Sequence, residues 1–166
     1  MRLRICRPPT RKIDGFDVDT HCAGSICELG PQLANVFMAE GWAEPVARVL
    51  LIDDDAELRA LTISVLIRDG YDVVEARHGN EAIRMLAEYS PDVIVLDLEM
   101  PVMDGWQFRA EQQSLPDARL ANIPVLLMTA VSSAEEQVAP LRAVGLIPKP
   151  FDPDRLLAAI RAALQA

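Results

Sequence analysis

Five short runs rich in Val, Ile and Leu recur between residues 47 and 166, and segments of helical periodicity separate them. Strands that are apolar at almost every position are buried on both faces, so these runs predict a parallel sheet covered by helices on both sides. Right-handed crossovers then give a doubly wound α/β fold, in which ligands bind at the carboxyl ends of the strands. The predicted strands are RVLLI, YDVVEA, DVIVLD, IPVLLMTA and GLIPK.

The helices between these strands are predicted from apolar side chains that recur every three or four residues. They cover DAELRALTISVLIRD, NEAIRMLAEY, GWQFRAEQQSL, SSAEEQVAPLRA and DPDRLLAAIRAALQ. In the first of them, the buried stripe is expected to consist of Leu58, Leu61, Thr62, Val65 and Leu66. Pro140 interrupts the fourth helix, and because proline removes a backbone donor, that helix is expected to be short or bent.

A Gly- and Pro-marked break, GWAEP, precedes this pattern and predicts a domain boundary between residues 46 and 47. Residues 1–46 are expected to form a small β-rich module, because RLRICR alternates polar and apolar residues as a half-buried strand does. PQLANVFMAEG predicts one short helix in this module, with Leu33, Val36 and Phe37 on a shared face. A module of this size is near the lower limit for independent stability.

The cysteines are confined to the N-terminal module, at positions 6, 22 and 27. An odd number of cysteines without an export signal argues against a disulfide framework. His21 and Cys22 lack the paired spacing of a zinc knuckle, so buried thiols in a small core are expected instead.

The composition is that of a folded protein, with 51% hydrophobic and 25% charged residues and a net charge of −9. No apolar run approaches the roughly 20 residues that cross a bilayer, and MRLRICRPPTRK lacks the apolar region of a signal peptide, so a cytoplasmic protein without membrane attachment is expected. Residues 47–166 hold 11 Lys and Arg against 19 Asp and Glu, which argues against a nucleic-acid-binding face.

Polar side chains that could bind a ligand or take part in a reaction lie at the ends of four of the predicted strands, at the same edge of the sheet. They are Asp53, Asp54 and Asp55 at the end of the first strand, Asp97 at the end of the third, Thr129 at the end of the fourth and Lys149 at the end of the fifth. Each has a structural alternative, such as a helix N-cap for Asp55 or a solvated side chain for Lys149. Several carboxylates at one edge repel one another unless a divalent cation lies among them, and their oxygen atoms suit Mg²⁺.

Residues 47–166 resemble the receiver domain of two-component response regulators. The resemblance is carried by VLLIDDD, PDVIVLDLEMPVMDGW, IPVLLMTA and IPKPF, which occur in this order. It implies a flavodoxin-like sheet of five parallel strands in the order 2-1-3-4-5. It also implies a phosphorylatable signalling domain rather than an enzyme, one that catalyses only its own phosphotransfer and dephosphorylation.

The resemblance also implies roles for individual residues. Asp97 would be the phosphoacceptor, with Thr129 and Lys149 in contact with the phosphoryl oxygens. Asp54, Asp97 and the backbone carbonyl of Glu99 would bind Mg²⁺ directly, and Asp53 would bind it through water. The Lys149–Pro150 bond is a candidate cis peptide by the same resemblance.

The implied partners are a histidine kinase or a histidine phosphotransfer protein as donor, and a downstream protein target of unknown identity. Leu146 stands where the family has an aromatic switch residue, and the connection from Gly145 to Lys149 is shorter than usual. The usual hydroxyl–aromatic coupling is therefore not expected. Because no output motif follows the last helix, the sequence suggests a stand-alone receiver.

Three other functions are compatible with parts of this pattern. The first is a phosphotransfer intermediate or phosphate sink without a dedicated target. The second is an aspartate-nucleophile phosphatase of the haloacid-dehalogenase type, which has a second Asp two residues after its nucleophile, where this chain has Glu99. The third is a nucleic-acid-binding regulator that acts through the basic arm at residues 1–12.

Overall fold

The polypeptide divides into two units, residues 1–47 and 48–166, one residue away from the boundary expected from sequence. The computed structural model describes residues 2–6, 23–130 and 139–165. The His21–Cys22 pair and most of the predicted fourth helix of the second unit lie outside these described residues.

The first unit is a three-stranded antiparallel sheet with one helix, which confirms the prediction of a small β-rich module. Its elements are β1 (Arg2–Ile5), β2 (Ile26–Glu28), α1 (Pro31–Ala39) and β3 (Ala43–Pro45), with strand order β2-β1-β3. Leu3 and Ile5 alternate with half-buried arginines along β1, as the period-two pattern predicts. Phe37 of α1 is buried and meets the Trp42 ring edge-on at 5.5 Å between centroids.

Two expectations for the first unit are wrong. Val36 is exposed, because the buried face of α1 runs through Ala34 and Phe37 rather than through Val36. Cys6 is exposed just after the end of β1, and Cys27 is only half-buried. The described cysteines are therefore not the buried core thiols that the sequence suggested.

The second unit contains five parallel strands in the order β5-β4-β6-β7-β8. This is the predicted order 2-1-3-4-5 when the strands are counted within the unit, and it confirms the doubly wound fold. The strands are β4 (Arg48–Ile52), β5 (Asp72–Ala76), β6 (Val93–Asp97), β7 (Val125–Thr129) and β8 (Gly145–Pro148).

Helices cover both faces of this sheet. They are α2 (Ala56–Arg68), α3 (Gly79–Tyr89), α4 (Gly105–Gln113), α5 (Ala118–Ala121) and α6 (Pro153–Ala163). The four-residue helix α5 is not indicated by the sequence pattern, because it is too short to show a helical period. Pro140 lies in a 3₁₀ turn over Ala139–Leu141, which is the described end of the predicted fourth helix.

Successive side chains of each strand enter two different cores. Leu50 and Ile52 of β4 pack in the core shared with Phe108, while Val49 and Leu51 pack in the core shared with Leu66, Leu156 and Ile160. Each fully buried aliphatic side chain contributes about 1.5–3 kcal/mol relative to an exposed one. This two-sided burial is the physical reason why the strands read as continuous apolar runs.

The buried stripe of α2 differs from the one expected from sequence. The face that packs inward runs through Arg59, Thr62 and Leu66, spaced three and four residues apart. Leu61 lies outside this face and is 63% exposed. The prediction for Leu61 is wrong because an arginine, Arg59, occupies a buried position that hydrophobicity alone does not indicate.

Aspartate side chains cap four of the described helices, namely α2, α4, α5 and α6. Asp55 accepts hydrogen bonds from the backbone N–H groups of Glu57 and Leu58 at 2.9 and 3.1 Å, which confirms its N-cap role. Asp104 forms a capping box with Gln107, and Asp152 caps α6 directly before Pro153. These caps fix where each helix starts relative to the strand end that precedes it.

The loop between β6 and α4 contains a backbone conformation that is unfavourable for its residue. Val102 has a φ of 72°, a left-handed conformation that β-branched residues adopt only under strain. Its side chain is 75% exposed, so little packing offsets that strain.

Replacing Val102 with Gly is expected to raise the free energy of unfolding by about 0.5–1 kcal/mol, because relieved strain of order 1–3 kcal/mol exceeds the entropic cost of glycine. Chemical denaturation followed by circular dichroism measures the change. Val144→Gly is the matched control, since Val144 is also exposed but has no positive φ, and it should lower stability. A Val102→Gly protein that is less stable than wild type would contradict the strain argument.

Candidate functional site

Three carboxylates and one ammonium group meet at the carboxyl edge of the five-stranded sheet. The carboxylate oxygens of Asp53, Asp54 and Asp97 lie within 4.8 Å of one another. The Lys149 Nζ atom donates to Asp53 Oδ2 at 2.8 Å and to Asp97 Oδ2 at 2.7 Å. Asp53 and Asp97 are buried, whereas Asp54 is exposed. The pocket therefore opens toward solvent on the side of Asp54.

Asp53 is held at four points around the end of β4. Its backbone N–H donates to the Ala76 carbonyl at 3.2 Å, and its own carbonyl accepts from Arg59 Nη1 at 2.8 Å. Its carboxylate accepts from the backbone N–H of Asp55 at 2.9 Å and from Lys149. The main chain of Asp53 is thus anchored on both sides before the chain turns into α2.

Asp97 is the last residue of β6, and the backbone packs tightly around it. Its Oδ1 atom accepts from the backbone N–H of Glu99 at 3.3 Å. Helix α4 begins at Gly105, where an added Cβ would lie 2.5 Å from the Asp97 carbonyl oxygen. Only glycine allows this close approach. The DG pair in the sequence therefore places the N-terminus of α4 directly beside the strand end.

Thr129 is the last residue of β7, and Lys149 directly follows β8. Thr129 is buried, and its carbonyl accepts a hydrogen bond from the Lys149 backbone N–H at 2.8 Å. The Lys149–Pro150 peptide bond is cis, as the resemblance suggested. The strand ends therefore bring Asp53, Asp97, Thr129 and Lys149 to one edge.

The electrostatics of the pocket reflect its burial. Desolvation raises the pKa of Asp53 above its ordinary value, and the hydrogen bond and charge of Lys149 only partly oppose this. Burial alone would lower the pKa of Lys149, but its hydrogen bonds to Asp53 and Asp97 outweigh burial and raise that pKa. Lys149 is therefore charged at neutral pH, and the pocket holds three carboxylates against one ammonium group.

The donor set of this pocket suits Mg²⁺. All three side chains within reach of a common point offer carboxylate oxygens, which are hard ligands, and no thiol or imidazole belongs to the group. The acidic excess favours a divalent cation over a monovalent one. The residues present thus fit the ion that the sequence resemblance implies.

Sequence reasoning missed two features beside the pocket. One is the contact of Arg59 with the Asp53 carbonyl. The other is an apolar groove of about 410 Å³ that borders Lys149, and it is lined by Leu58, Leu61, Val65, Lys149, Pro150, Phe151 and Pro153. The signal for the groove was the Leu and Val stripe of α2, which the sequence analysis assigned to the core.

In the part of the chain that the structure describes, no helix has both the length and the apolar composition needed to cross a membrane.

Comparison with known proteins identifies the family. A family model described as response regulator receiver domain matches residues 49–161. The response regulator MprA of Mycobacterium leprae (strain TN) is 40% identical over 120 residues, which are 71% of this chain and 51% of MprA. The chain therefore spans about half the length of the curated relatives that it matches.

Solved structures agree with this match. The chemotaxis response regulator CheY4 of Vibrio cholerae superimposes with a TM-score of 0.66 at 30% identity, over 72% of this chain and 99% of CheY4. The receiver domain of the Francisella response regulator 1452 gives a TM-score of 0.65 at 26% identity, over 72% of this chain and 97% of that domain.

The matched residues include every member of the acidic pocket, so the part of the chain that carries the chemistry is also the part that carries the family likeness. Receivers are signalling domains rather than catalytic enzymes, and a receiver implies a cognate histidine kinase. This excludes the haloacid-dehalogenase alternative for residues 49–161. The chain belongs to the response regulator receiver family of two-component systems, with a small antiparallel module outside the receiver.

Proposed function

We propose that this protein is a phosphorylatable switch in a two-component phosphorelay, in which Asp97 accepts a phosphoryl group from a histidine kinase or a histidine phosphotransfer protein. The observation that carries the proposal is the bridge from Lys149 Nζ to Asp53 and Asp97, beside the exposed carboxylate of Asp54. The proposed domains are a receiver over residues 47–166 and a separate module over residues 1–46. The proposed location is the cytoplasm, where the catalytic parts of such kinases act.

In the proposed reaction, a carboxylate oxygen of Asp97 attacks the phosphorus of a phosphohistidine. A P–O bond forms, the P–N bond breaks, and the histidine nitrogen leaves with the bonding electron pair. Lys149 already contacts Asp97, so its charge lies next to the phosphoryl oxygens as the group arrives. Thr129, at the end of β7, supplies the hydroxyl that donates to a phosphoryl oxygen.

The metal ligands in this proposal are Asp54, Asp97 and the backbone carbonyl of Glu99, with Asp53 bound through water. A bound Mg²⁺ supplies positive charge that offsets the charge of the transferred group. The hydrogen bond from the Glu99 backbone N–H to Asp97 holds the loop close to the phosphoacceptor. Asp54 is exposed, so it is the carboxylate that an ion from solvent meets first.

The apolar groove beside Lys149 is the proposed docking surface for the phosphohistidine-bearing partner. Leu61 is its most accessible apolar residue on α2, and Phe151 lies two positions after Lys149. A partner helix seated in this groove brings its histidine next to the acidic pocket, because Lys149 belongs to both surfaces.

The output of the switch is proposed to be local. Leu146 is half-buried against the α3–α4 side of the sheet and has neither a ring nor a hydroxyl to follow Thr129. A modification shifts a conformational equilibrium only through its different interactions with the two states. The proposed response is therefore a backbone rearrangement around Thr129 and the turn at Pro140.

A phosphotransfer intermediate or phosphate sink would use the same pocket and differs only in having no dedicated target. The nucleic-acid alternative has less support in the described residues. Arg4 of β1 pairs with Glu44 at 3.2 Å, and Arg2 lies opposite Glu28 in the sheet, so these two arginines have acidic neighbours.

Acetyl phosphate and Mg²⁺ should add the mass of one phosphoryl group to the wild-type protein and none to Asp97→Asn. The reason is that the amide of asparagine is a poor nucleophile, although it has the shape of the carboxyl group. Intact-mass spectrometry measures the product. Asp104→Asn is the matched control, because asparagine keeps the helix cap in the same loop, and it should still be phosphorylated. An equal mass gain in Asp97→Asn would show that the acceptor lies elsewhere.

Replacing Asp54 with Asn should weaken Mg²⁺ binding by roughly tenfold or more, because a direct ligand has at least the influence of the outer groups that orient ligands. Titration followed by Trp106 fluorescence measures the affinity, since Trp106 directly follows Gly105, whose Cα lies close to the Asp97 carbonyl. Asp55→Asn removes the same charge from the adjacent residue and keeps the N-cap, so it should have a much smaller effect. Equal effects of the two substitutions would mean that only net charge matters.

Leu61→Asp should lower phosphotransfer from a kinase far more than phosphorylation by acetyl phosphate, because only the protein donor needs the groove. The substitution should not disturb folding, since Leu61 is exposed. Rates with the two donors are compared by autoradiography and intact mass. Ile67→Asp, an exposed position on the same helix outside the groove, should change neither rate. If the Leu61→Asp protein accepts the phosphoryl group at the wild-type rate from every active kinase, the groove is not the docking surface.

A further inference from the structure

Arg59 is a buried cation that contacts the acidic pocket through the backbone rather than through a carboxylate. It lies on α2 and is only 9% exposed. Its Nη1 atom donates to the Asp53 carbonyl at 2.8 Å, and its Nε atom donates to Glu75 Oε2 of β5 at 2.7 Å. The carboxylate of Asp53 is bound instead by Lys149 and by the backbone N–H of Asp55.

An ion pair between Arg59 and Glu75 would not by itself require Arg59 to be buried. Burying an arginine is costly unless its charge and donors are matched. Glu75 is 57% exposed on its side chain, so Arg59 could keep this partner while remaining in solvent, as surface ion pairs do. The inward position gives one additional interaction, the hydrogen bond to the Asp53 carbonyl, and that bond is buried.

The Asp53 carbonyl belongs to the peptide unit that joins Asp53 to Asp54. Because this unit is planar, holding its oxygen also fixes the N–H and the Cα of Asp54 in that plane. The Asp53 N–H is bound to Ala76 on the neighbouring strand, so the peptide units on both sides of Asp53 are anchored to β5 and its side chains.

Asp54 depends on this backbone for its position. In the described part of the chain its exposed carboxylate makes no hydrogen bond of its own, whereas Asp53 and Asp97 are held by Lys149. Because no hydrogen bond orients the Asp54 carboxylate, its location depends on where the main chain places the Asp54 Cα atom. The main chain of Asp54 is restrained on both sides, by the Arg59 bond to the Asp53 carbonyl and by the bond from the Asp55 backbone N–H to Asp53 Oδ1.

We propose that Arg59, oriented by Glu75, is a positioning residue for the metal ligand Asp54, and that it acts through the Asp53 carbonyl. The inference rests on the proposed function, since it concerns the Mg²⁺ site that the phosphoryl transfer uses. It assigns to α2 a role in metal affinity, in addition to the packing of its apolar side chains.

The test uses the full chain with Arg59→Met, which keeps an unbranched apolar stem out to about the position of Nε and removes both hydrogen bonds. Mg²⁺ binding is titrated by Trp106 fluorescence without a phosphodonor, and the rate with acetyl phosphate is measured across Mg²⁺ concentrations. The Mg²⁺ concentration at half-saturation should rise roughly tenfold, as for other groups that orient metal ligands. The rate at saturating Mg²⁺ should approach that of wild type, because Arg59 does not touch the transferred group.

Arg68→Met is the matched control. Arg68 lies in the last turn of the same helix and is exposed, so the substitution removes an equal charge without touching the acidic loop. The Mg²⁺ concentration at half-saturation of Arg68→Met should stay within twofold of the wild-type value. Glu75→Gln keeps an acceptor for Arg59 and should give a smaller rise than Arg59→Met. Thermal unfolding of each variant is recorded without Mg²⁺, so that a loss of stability is separated from a loss of affinity.

The outcomes separate the inference from the function on which it rests. A wild-type protein that binds no Mg²⁺ overturns the proposed function and the inference together. The inference alone is overturned if the wild type binds Mg²⁺ but the Mg²⁺ concentration at half-saturation of Arg59→Met stays within twofold of the wild-type value. It is also overturned if Arg59→Met and Arg68→Met give the same value. If Arg59→Met does not fold, Arg59→Gln decides. The glutamine Nε2 atom stands at about the position of the arginine Nε atom, so it can donate to Glu75 but does not reach the Asp53 carbonyl. A rise of threefold or more in the Mg²⁺ concentration at half-saturation supports the inference, and a smaller rise overturns it.

Discussion

Repulsion among Asp53, Asp54 and Asp97 is the constraint around which the second unit is organised. Three carboxylates with oxygens within 4.8 Å of one another destabilise the folded chain unless positive charge lies close by. Lys149 provides that charge from the far strand β8, across the whole β4–β6–β7–β8 part of the sheet. The strand order is therefore as important to the pocket as the residue types are, because it brings the ends of β4, β6 and β8 to one edge.

Much of this arrangement could be predicted from the sequence. The apolar runs predicted all five strands of the second unit, and the motif VLLIDDD with PDVIVLDLEMPVMDGW located the acidic residues at two strand ends. The rule that parallel strands share their carboxyl edge then predicted that Asp53, Asp97 and Lys149 lie close together. These predictions succeed because two-sided burial leaves a strong hydrophobic signal and because the pattern repeats.

The remaining features depend on tertiary contacts that leave no pattern in the sequence. Arg59 reads in the sequence as a polar residue on an amphipathic helix, and nothing in the pattern shows that it turns inward to a carbonyl. Its burial rotates the inward face of α2, which is why Leu61 is exposed although it is apolar. The short helix α5 and the left-handed Val102 are equally invisible, because neither has a periodic pattern or a turn residue that marks it. Single tertiary contacts decide such positions.

The two faces of α2 differ in what a substitution on them would change. The inward face, with Arg59, Thr62 and Leu66, is tied to the core and to the acidic loop, whereas Leu58, Leu61 and Val65 line the groove outside it. Leu61 is the exposed member of this outer stripe, whereas Val65 also packs against the core, so a substitution at Leu61 leaves the core and the carboxylates untouched. Under the proposed function, a substitution at Leu61 changes the surface offered to a partner while Arg59 and the carboxylates stay in place. Recognition and chemistry are then assigned to different faces of one helix.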